Sequence, residues 1–382
     1  MTKEKVFSLC EEAYAEIIEI RRELHSYPEL GRREYKTTEK IIGCLEKWGI
    51  EYERPIETGV VATIKGNRSG GVTALRCDID GLPIKEMTDV PFKSKNDGAM
   101  HACGHDMHTA ALLGAAKIIN ENKQELSGEV RFIFQPDEEG DGGAQRLIEK
   151  GVMSGVDKVF GLHVRPEMKT GTVALKYGKF YAASDIFEID VIGKSGHCAE
   201  PNKNTDAIVI GAAIINALQT IVSRNISPLD SAVLTIGTAN GGTFRNTIAG
   251  SFSITGITRS LGKEIRQLLS QRITETATGI ALAMGGRAEV RVIESYPGII
   301  NDDSATEHIE KTAKELLGED KTKVLTQPFM TTEDFGCYCE KASGCFYHVG
   351  CGCEYPLHSD KFCPDEKVVL TAMMMHVASV MM

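Results

Sequence analysis

The stretch SDIFEIDVIG, residues 184–193, marks a change in the rhythm of the sequence. Apolar and polar residues alternate along it, which is typical of a half-buried strand. From there to residue 293 we predict the order β-α-β-β-α-β, which is that of a ferredoxin-like α+β domain. The predicted elements span residues 185–192, 207–223, 232–238, 251–259, 263–284 and 288–293.

On either side of this stretch, helices and strands alternate along the chain. The predicted helices span residues 2–24, 37–48, 109–120 and 144–150, and the predicted strands span 59–64, 72–75, 129–134 and 159–162. Such alternation predicts an α/β domain with a mixed, mainly parallel sheet and helices on both faces. Because the rhythm resumes after residue 293, we predict that residues 1–183 and 294–382 form one domain, into which residues 184–293 are inserted.

The composition and net charge of the chain exclude some kinds of binding partner. The 382 residues carry 43 Lys and Arg against 53 Asp and Glu, a net charge of −10 with histidine neutral. A general nucleic-acid binder needs a basic stripe, so we expect no nucleic-acid partner. No apolar run approaches the ~20 residues that span a bilayer, so we expect no membrane partner. Eleven cysteines without a signal peptide indicate a reducing, cytoplasmic location.

The densest group of reactive side chains is MHACGHDMHTA, residues 100–110. Thiolate and imidazole groups are the standard ligands of zinc-like divalent metals. We expect Cys103 and His105, which are two residues apart, to point the same way on an extended segment. The alternative interpretation is one or two hydrogen-bonded core histidines beside a buried thiol.

Two acidic motifs follow predicted strands. Glu138 and Glu139 lie in FQPDEEGDGGA, residues 134–144, where one can bind metal while the other accepts a proton. Asp78 and Asp80 lie in RCDIDGLP, residues 76–83, and can bind metal or support a ligand histidine. The alternatives are a solvated acidic surface for the first motif and an Asp-Gly turn for the second.

Three further histidines are isolated in the sequence. His163 lies in GLHVRP, His197 in GKSGHCAEP and His358 in YPLHSDKF. Each, taken alone, is typical of a hydrogen-bonded histidine. Their common placement at strand ends and in Gly- or Pro-rich loops favours a function.

Taken in order, these motifs resemble a known family. The set CGHDMH, PDEEG, GLHV, GHCAEP, GGTFRNTI, TEDFG and LHS is similar to that of the cocatalytic metallo-amidohydrolases. This family includes aminoacylases, hippurate hydrolases, auxin-conjugate hydrolases and N-acetyl-diaminopimelate deacetylases. The resemblance covers nearly the whole chain, from RRELHSYPELGRREYKTTEKI at residues 21–41 to LHSDKF at residues 357–362.

The resemblance implies two divalent metal ions per subunit, of the Mn, Zn, Co or Ni type. The positions that match metal ligands are Cys103, which bridges both metals, His105, Glu139, His163 and His358. Glu138 matches the general base and Asp80 the carboxylate that supports a ligand histidine. The positions that match contacts to the substrate are His197 and Asn246 at the scissile group and Arg259 at the substrate carboxylate.

The implied reaction is hydrolysis of the amide bond of N-acyl amino acids by a metal-activated water. The resemblance also implies a homodimer through the inserted domain, with His197 supplied by the neighbouring subunit. Three alternatives remain: a dipeptidase or carboxypeptidase, a noncatalytic metal-binding relative, and a redox or metal-handling protein. Asp137, Asp360 and the pair Phe244–Arg245 depart from the family pattern, and they leave the substrate preference open.

A second group of thiols lies in CYCEKASGCFYHVGCGC, residues 337–353. Five cysteines and His348 raise the possibility of a structural zinc or iron–sulfur site. The C-x-C spacing differs from the C-x₂-C of common zinc knuckles, so we predict buried thiols instead. We likewise predict that the C-terminal methionines, from Met373 to Met382, fill a helix core.

Overall fold

The computed structural model describes all residues, from Met1 to Met382, and divides the chain into two compact units. Unit 1 comprises Met1–Gly178, Ile300–Gln327 and Asp334–Met382. Unit 2 comprises Lys179–Ile299 together with Pro328–Glu333. The sequence predicted boundaries at residues 183/184 and 293/294, whereas unit 2 extends several residues further at both ends.

Unit 1 is built on a sheet of eight strands. Its strands are β1 (Glu51–Glu53), β2 (Val60–Lys65), β3 (Arg68–Asp78), β4 (Ser127–Gln135), β5 (Lys158–Arg165), β6 (Val173–Leu175), β15 (Thr322–Val324) and β16 (Ser343–Gly350). Their order is β1-β2-β4-β3-β5-β16-β6-β15. The β3–β4, β3–β5, β5–β16 and β6–β15 pairs are parallel, and the other three are antiparallel. The predicted mixed, mainly parallel sheet is confirmed.

The helices of unit 1 cover much of this sheet and carry the core. They are α1 (Lys3–Ser26), α2 (Tyr35–Lys47), α3 (His105–Glu121), α4 (Ala144–Glu149), α7 (Asp303–Leu317), α8 (Gly336–Cys339) and α9 (Lys367–Met381). At Gly114 of α3, a Cβ atom would lie 2.3 Å from the Met373 sulfur and 3.1 Å from Ile17. Only glycine therefore allows α1 and α9 to pack this closely on α3. The predicted methionine core is confirmed for α9, which ends at Met381, whereas Met382 is exposed.

The parallel strands bring three sequence motifs to one edge of the sheet. Asp78 at the end of β3 is in register with Gln135 at the end of β4, and β5 lies on the other side of β3. Ligand sites of α/β sheets lie at the carboxyl ends of such strands. The residues that follow β3 and β4, and those at the end of β5, are therefore placed to form one site.

Unit 2 contains an antiparallel sheet with the order β10-β12-β8-β13. Its principal elements are β8 (Ala183–Ile192), α5 (Ala207–Asn225), β10 (Ala232–Gly241), β12 (Ser251–Ser260), α6 (Lys263–Ala283) and β13 (Arg287–Glu294). They follow one another as β-α-β-β-α-β. A two-stranded ribbon, β9 (Gly196–His197) with β11 (Thr247–Ile248), lies outside the sheet. The shortest elements of the chain are β7 (Gly178–Lys179), β14 (Ile300–Asn301) and 3₁₀ turns at Pro201–Lys203 and Glu319–Lys321.

Helix α5 corrects one expectation about composition. The sequence contains no unbroken apolar run of bilayer length, yet α5 has 19 residues and a mean hydropathy of 1.6, enough to span a membrane by length and composition. Its apolar residues at helical spacing are buried in the core of unit 2, namely Ile210, Ile214, Leu218 and Ile221. The core helix of a soluble protein passes the same test.

Candidate metal centre

Cys103 and His105 flank Gly104 in the sequence, and both side chains belong to the candidate site. Gly104 has φ +88° and is the N-cap of α3, which begins at His105. A Cβ at position 104 would lie 2.5 Å from a methyl carbon of Val164, so glycine is required both for the backbone conformation and for the close packing. The predicted extended segment is therefore wrong for His105, because the helix begins four residues earlier than residue 109.

His163 lies near the end of β5 and is held by its own neighbour. Its Nδ1 hydrogen-bonds to the carbonyl oxygen of Val164 at 2.8 Å, and its Nε2 lies 3.3 Å from the sulfur of Cys103. Burial and the charge of His108 lower the pKa of His163 well below its usual value. The ring is therefore neutral, and the Nδ1–H bond leaves Nε2 as a lone pair directed toward Cys103.

Asp80 connects His105 with Glu139. One oxygen of Asp80 accepts a hydrogen bond from His105 Nδ1 at 3.1 Å, and the other accepts one from the backbone N–H of Glu139 at 3.0 Å. The Nε2 atom of His105 is buried without a hydrogen-bond partner. Burial opposes protonation of this ring, but Asp78 and Asp80 raise the pKa of His105 to about 10. A cation at Nε2 would replace that proton.

His358 approaches the same place from a loop. Its Nε2 lies 3.0 Å from Oε1 of Glu139, and its backbone N–H donates to the carbonyl oxygen of Ala102 at 2.9 Å. His358 has φ +65°, a left-handed conformation that is uncommon for a residue with a Cβ. The backbone of the loop is thus hydrogen-bonded to the residue before Cys103. His358, whose backbone is strained, is also the residue that contributes the imidazole.

The predicted ligands form three overlapping clusters. Within each cluster, the donor atoms lie within 4.8 Å of one another. The clusters are Cys103–His105–His163, Cys103–Glu139–His358 and His105–Glu138–Glu139. All five predicted ligands and Glu138 are therefore brought together. Cys103, His105 and Glu139 each belong to two of the three clusters.

The charges of this site fit a divalent metal. Burial, together with Glu139 and Glu138, raises the pKa of the Cys103 thiol well above its usual value. A thiolate beside two carboxylates is costly in a buried place unless positive charge is added. The donors are thiolate, imidazole and carboxylate, the set that zinc-like metals prefer. The unbonded Nε2 of His105 is a further sign that a ligand belongs here.

A second polar cluster lies next to the first, and Asp78 is the one of its members that the sequence indicated as a possible ligand or support. Arg76 donates from Nε to Gln135 (2.9 Å), from Nη1 to Asp78 (3.0 Å) and from Nη2 to Asp334 (2.8 Å). Asp334 also accepts from the backbone N–H of Ala144 at 3.0 Å, at the end of the loop that holds Glu138 and Glu139. We call these four side chains, Arg76, Asp78, Gln135 and Asp334, the Arg76 cluster.

The Arg76 cluster is linked to the predicted ligands through His108. Asp78 Oδ1 lies 2.6 Å from His108 Nδ1, and His108 Nε2 accepts from the N–H of Val164, next to His163. Against the cost of burial, His105, His108 and Arg76 hold the pKa of Asp78 well below its usual value. Sequence signals for these residues existed, since Asp334 lies in TEDFG and both Arg76 and Asp78 lie in RCDIDGLP.

Glu34 is another functional candidate that sequence reasoning missed. It is fully buried, and its Oε1 accepts a hydrogen bond from the N–H of Asp137 at 2.8 Å. Burial raises the pKa of Glu34 to about 7. Asp137 has φ +60° and its carboxylate forms a 2.9 Å ion pair with Arg32. Asp137, one of the departures from the family pattern, thus fixes the loop that leads to Glu138.

The other three predicted site residues lie in unit 2. His197 on β9 pairs with Thr247 on β11, and the N–H of Cys198 donates to the carbonyl oxygen of Asn246 at 3.1 Å, so His197 and Asn246 lie close together. Both are exposed. Arg259 lies on β12 and donates to the Thr332 hydroxyl at 2.9 Å.

The second group of thiols is mostly buried. Cys337, Cys345 and Cys351 are buried, whereas Cys339 and Cys353 are partly exposed. Among the eleven cysteines of the chain, Cys103 is the one that belongs to a cluster of three or more potential metal ligands. The prediction of buried thiols therefore holds for three of the five.

Known proteins of similar sequence identify the family of this chain. Residues 74–380 match the model of peptidase family M20/M25/M40. An N-acetyl-L-cysteine deacetylase of Bacillus subtilis is 42% identical over 94% of this chain and 85% of its own length. A thermostable carboxypeptidase of Saccharolobus solfataricus is 40% identical over 94% of this chain and 93% of its own length.

A solved structure extends the likeness to three dimensions. A dinuclear metal-binding peptidase of family M20 from Bacillus subtilis superposes with a TM-score of 0.86 at 36% identity. The match covers 97% of this chain and 98% of the other. This chain belongs to peptidase family M20/M25/M40 and is a hydrolase of amide bonds.

Proposed function

We propose that this protein removes the acyl group from N-acyl amino acids, with Glu138 as the general base. The observation that carries the proposal is the set of overlapping donor clusters around Cys103, with the Glu138 carboxylate inside one of them. The likeness to a deacetylase of N-acetylcysteine supports an N-acyl amino acid as the substrate.

Two divalent ions of the Mn, Zn, Co or Ni type would be held by Cys103, His105, Glu139, His163 and His358. When bound, such ions supply Lewis acidity and lower the pKa of a water toward ~7. The thiolate of Cys103 favours these metals over magnesium or calcium. A thiol ligand is also best preserved in a reducing compartment, which supports a cytoplasmic location.

Side chains of the protein orient the metal ligands and transfer the proton. Asp80 fixes the tautomer of His105 and the backbone of Glu139 through its two oxygens. Glu138 takes the proton of the attacking water and returns it to the leaving amine. The N–H of Ala144 bonded to Asp334 and the Arg32–Asp137 ion pair hold the Glu138 loop from both sides.

Replacing Glu138 with Gln tests the proposal. Because a general base contributes about 10²- to 10⁴-fold, E138Q should lose that much amine release from a panel of N-acyl amino acids. The variant should retain its metal, as measured by elemental analysis. The exposed Glu121 at the end of α3 provides the matched control, and E121Q should be unchanged. Undiminished turnover by E138Q would refute the role of Glu138.

We further propose a homodimer through unit 2, with His197, Asn246 and Arg259 binding the substrate. Large apolar side chains of unit 2 are exposed, among them Val209, Leu229 and Val233. If His197 acts across subunits, mixing inactive E138Q with inactive His197→Ala chains should restore activity. The reason is that a mixed dimer contains one site with both residues. No recovery, although sedimentation shows that mixed dimers form, would contradict the cross-subunit role.

A second candidate function is carboxypeptidase or dipeptidase activity. It is favoured by the 40% identity to a carboxypeptidase. Comparing kcat/KM for N-acetyl amino acids with that for dipeptides of the same amino acid distinguishes the two. We expect the acetylated substrates to be preferred.

A further inference from the structure

The two ends of the loop that carries His358 are held together by a contact between two cysteines, Cys353 and Cys363. The backbone N–H of Cys363 donates to the sulfur of Cys353 at 3.4 Å. One step further out, the N–H of Asp365 donates to the carbonyl oxygen of Cys351 at 3.0 Å. The two ends of the loop therefore lie side by side, with the Cys353 sulfur against the backbone of Cys363.

Solvent reaches these two thiols more readily than their neighbours. Cys363 is exposed and Cys353 is partly exposed, whereas Cys345 and Cys351 are buried. Burial raises the pKa of both buried thiols to about 12, so they stay protonated and unreactive. Burial also raises the pKa of Cys363, so the fraction of its thiolate grows only as the pH becomes alkaline.

We propose that Cys353 and Cys363 form an oxidation site, a dithiol that low-molecular-weight disulfides convert into an intramolecular disulfide. This inference is independent of the proposed hydrolysis. The 3.4 Å contact of Cys353 Sγ with the Cys363 backbone N–H places that sulfur beside the residue to which it would bond. The tight base of the loop supplies the close approach that disulfide geometry requires.

The exchange proceeds in two balanced steps. The Cys363 thiolate attacks one sulfur of oxidised glutathione, which forms a mixed disulfide and releases one glutathione thiolate. The Cys353 thiolate then attacks the Cys363 sulfur and releases the second glutathione. Two electrons pass from the cysteine pair to glutathione, and the two thiol protons end on the two glutathione molecules.

The disulfide would close the loop covalently around the residue that presents the imidazole. The middle of the loop is already bonded to the rest of unit 1, because His358 N–H donates to Ala102 and Met87 N–H donates to the carbonyl oxygen of Asp360 (2.8 Å). Oxidation would therefore fix a loop whose native shape is retained. We expect amide hydrogen exchange within residues 354–362 to slow on oxidation.

Trypsin separates the two thiols and makes the test direct. Cleavage after Lys341, Lys361 and Lys367 gives fragment 342–361, with Cys345, Cys351 and Cys353, and fragment 362–367, with Cys363 alone. The full-length protein with its metal bound is incubated with oxidised glutathione at mildly alkaline pH and digested without reductant. Mass spectrometry should show the two fragments joined, and a reductant should separate them.

Two serine variants identify the partner of Cys363. Cys353→Ser should abolish the joined fragments, whereas the matched control Cys351→Ser should retain them. The proposal is overturned if fragment 362–367 of the native protein is recovered only free or only carrying glutathione. Joined fragments that persist in C353S would overturn it too.

Discussion

Two polar clusters are buried side by side in unit 1, and their charges are balanced in different ways. In the Arg76 cluster a guanidinium lies between two carboxylates, with Nη1 bonded to Asp78 and Nη2 bonded to Asp334. Around Cys103, the thiol and the carboxylates of Glu138 and Glu139 are clustered with the imidazoles of His105, His163 and His358. The first cluster carries its own cation, whereas the second is arranged to receive one.

Glu34 shows a third way to bury a carboxylate. Its Oε2 is buried without a hydrogen-bond partner, and its pKa is raised to about 7. A proton neutralises this group near physiological pH. The comparison shows three ways to compensate buried acids near this sheet edge: a guanidinium at Asp78 and Asp334, the proposed metal at Glu138 and Glu139, and a proton at Glu34. Each of the three predicts a different change in stability, on substitution of the arginine, on removal of the metal or on a change of pH.

The largest expected effect comes from removing the internal cation. Arg76→Met leaves Asp78 and Asp334 buried without their partner, which should cost ~3–5 kcal/mol of unfolding free energy. Arg68 lies exposed at the other end of the same strand, so Arg68→Met should change stability by less than ~0.5 kcal/mol. Denaturant unfolding with metal present measures both. Equal effects of the two variants would contradict the assigned role of Arg76.

Adding or removing metal tests the proposed metal site around Cys103. A divalent metal at ~1,000 times its dissociation constant should stabilise the chelator-treated protein by ~4 kcal/mol, because it binds the folded state. The gain should vanish in a Cys103→Ala, His105→Ala double variant and persist in Cys351→Ser. Thermal unfolding with and without Mn, Zn or Co gives the measurement. A full gain in the double variant would place the metal elsewhere.

The proton at Glu34 predicts a smaller, pH-dependent effect. An acid whose pKa rises from 4.5 to about 7 on folding binds its proton more tightly in the folded state. Its contribution to stability is therefore present below pH 4.5 and is lost as pH rises through 7, by at most ~3 kcal/mol. Glu34→Gln keeps an acceptor for the Asp137 N–H and should remove this loss. A stability difference between the two proteins that stays constant from pH 5 to 8 would rule out the titration.

The sequence predicted the ligand types because they are concentrated in short motifs. Residues 100–110 already contained Cys103 and His105, and residues 134–144, which follow a predicted strand, contained Glu138 and Glu139. The helix start was misplaced because positive φ at Gly104 is a local conformation that apolar periodicity does not report. That glycine, rather than an extended segment, aims His105.

The Arg76 cluster could not be assembled from the sequence. Arg76 and Asp334 are 258 residues apart, and no periodicity links an arginine on one strand to an aspartate in a distant loop. The same limit applies to β16, because its place between β5 and β6 is fixed by packing across the chain. Local patterns predicted elements and reactive residues, whereas long-range pairing determined which of them meet.

The position of β16 has a consequence for synthesis on the ribosome. The first strands of the large sheet are complete by residue 175, but the strand between β5 and β6 consists of residues 343–350. Until those residues emerge, β5 presents an open edge, which invites pairing with other nascent chains. The residues of unit 2 up to 299 are meanwhile available to fold. The strand that closes this edge of the hydrolase is therefore supplied only in the last part of translation.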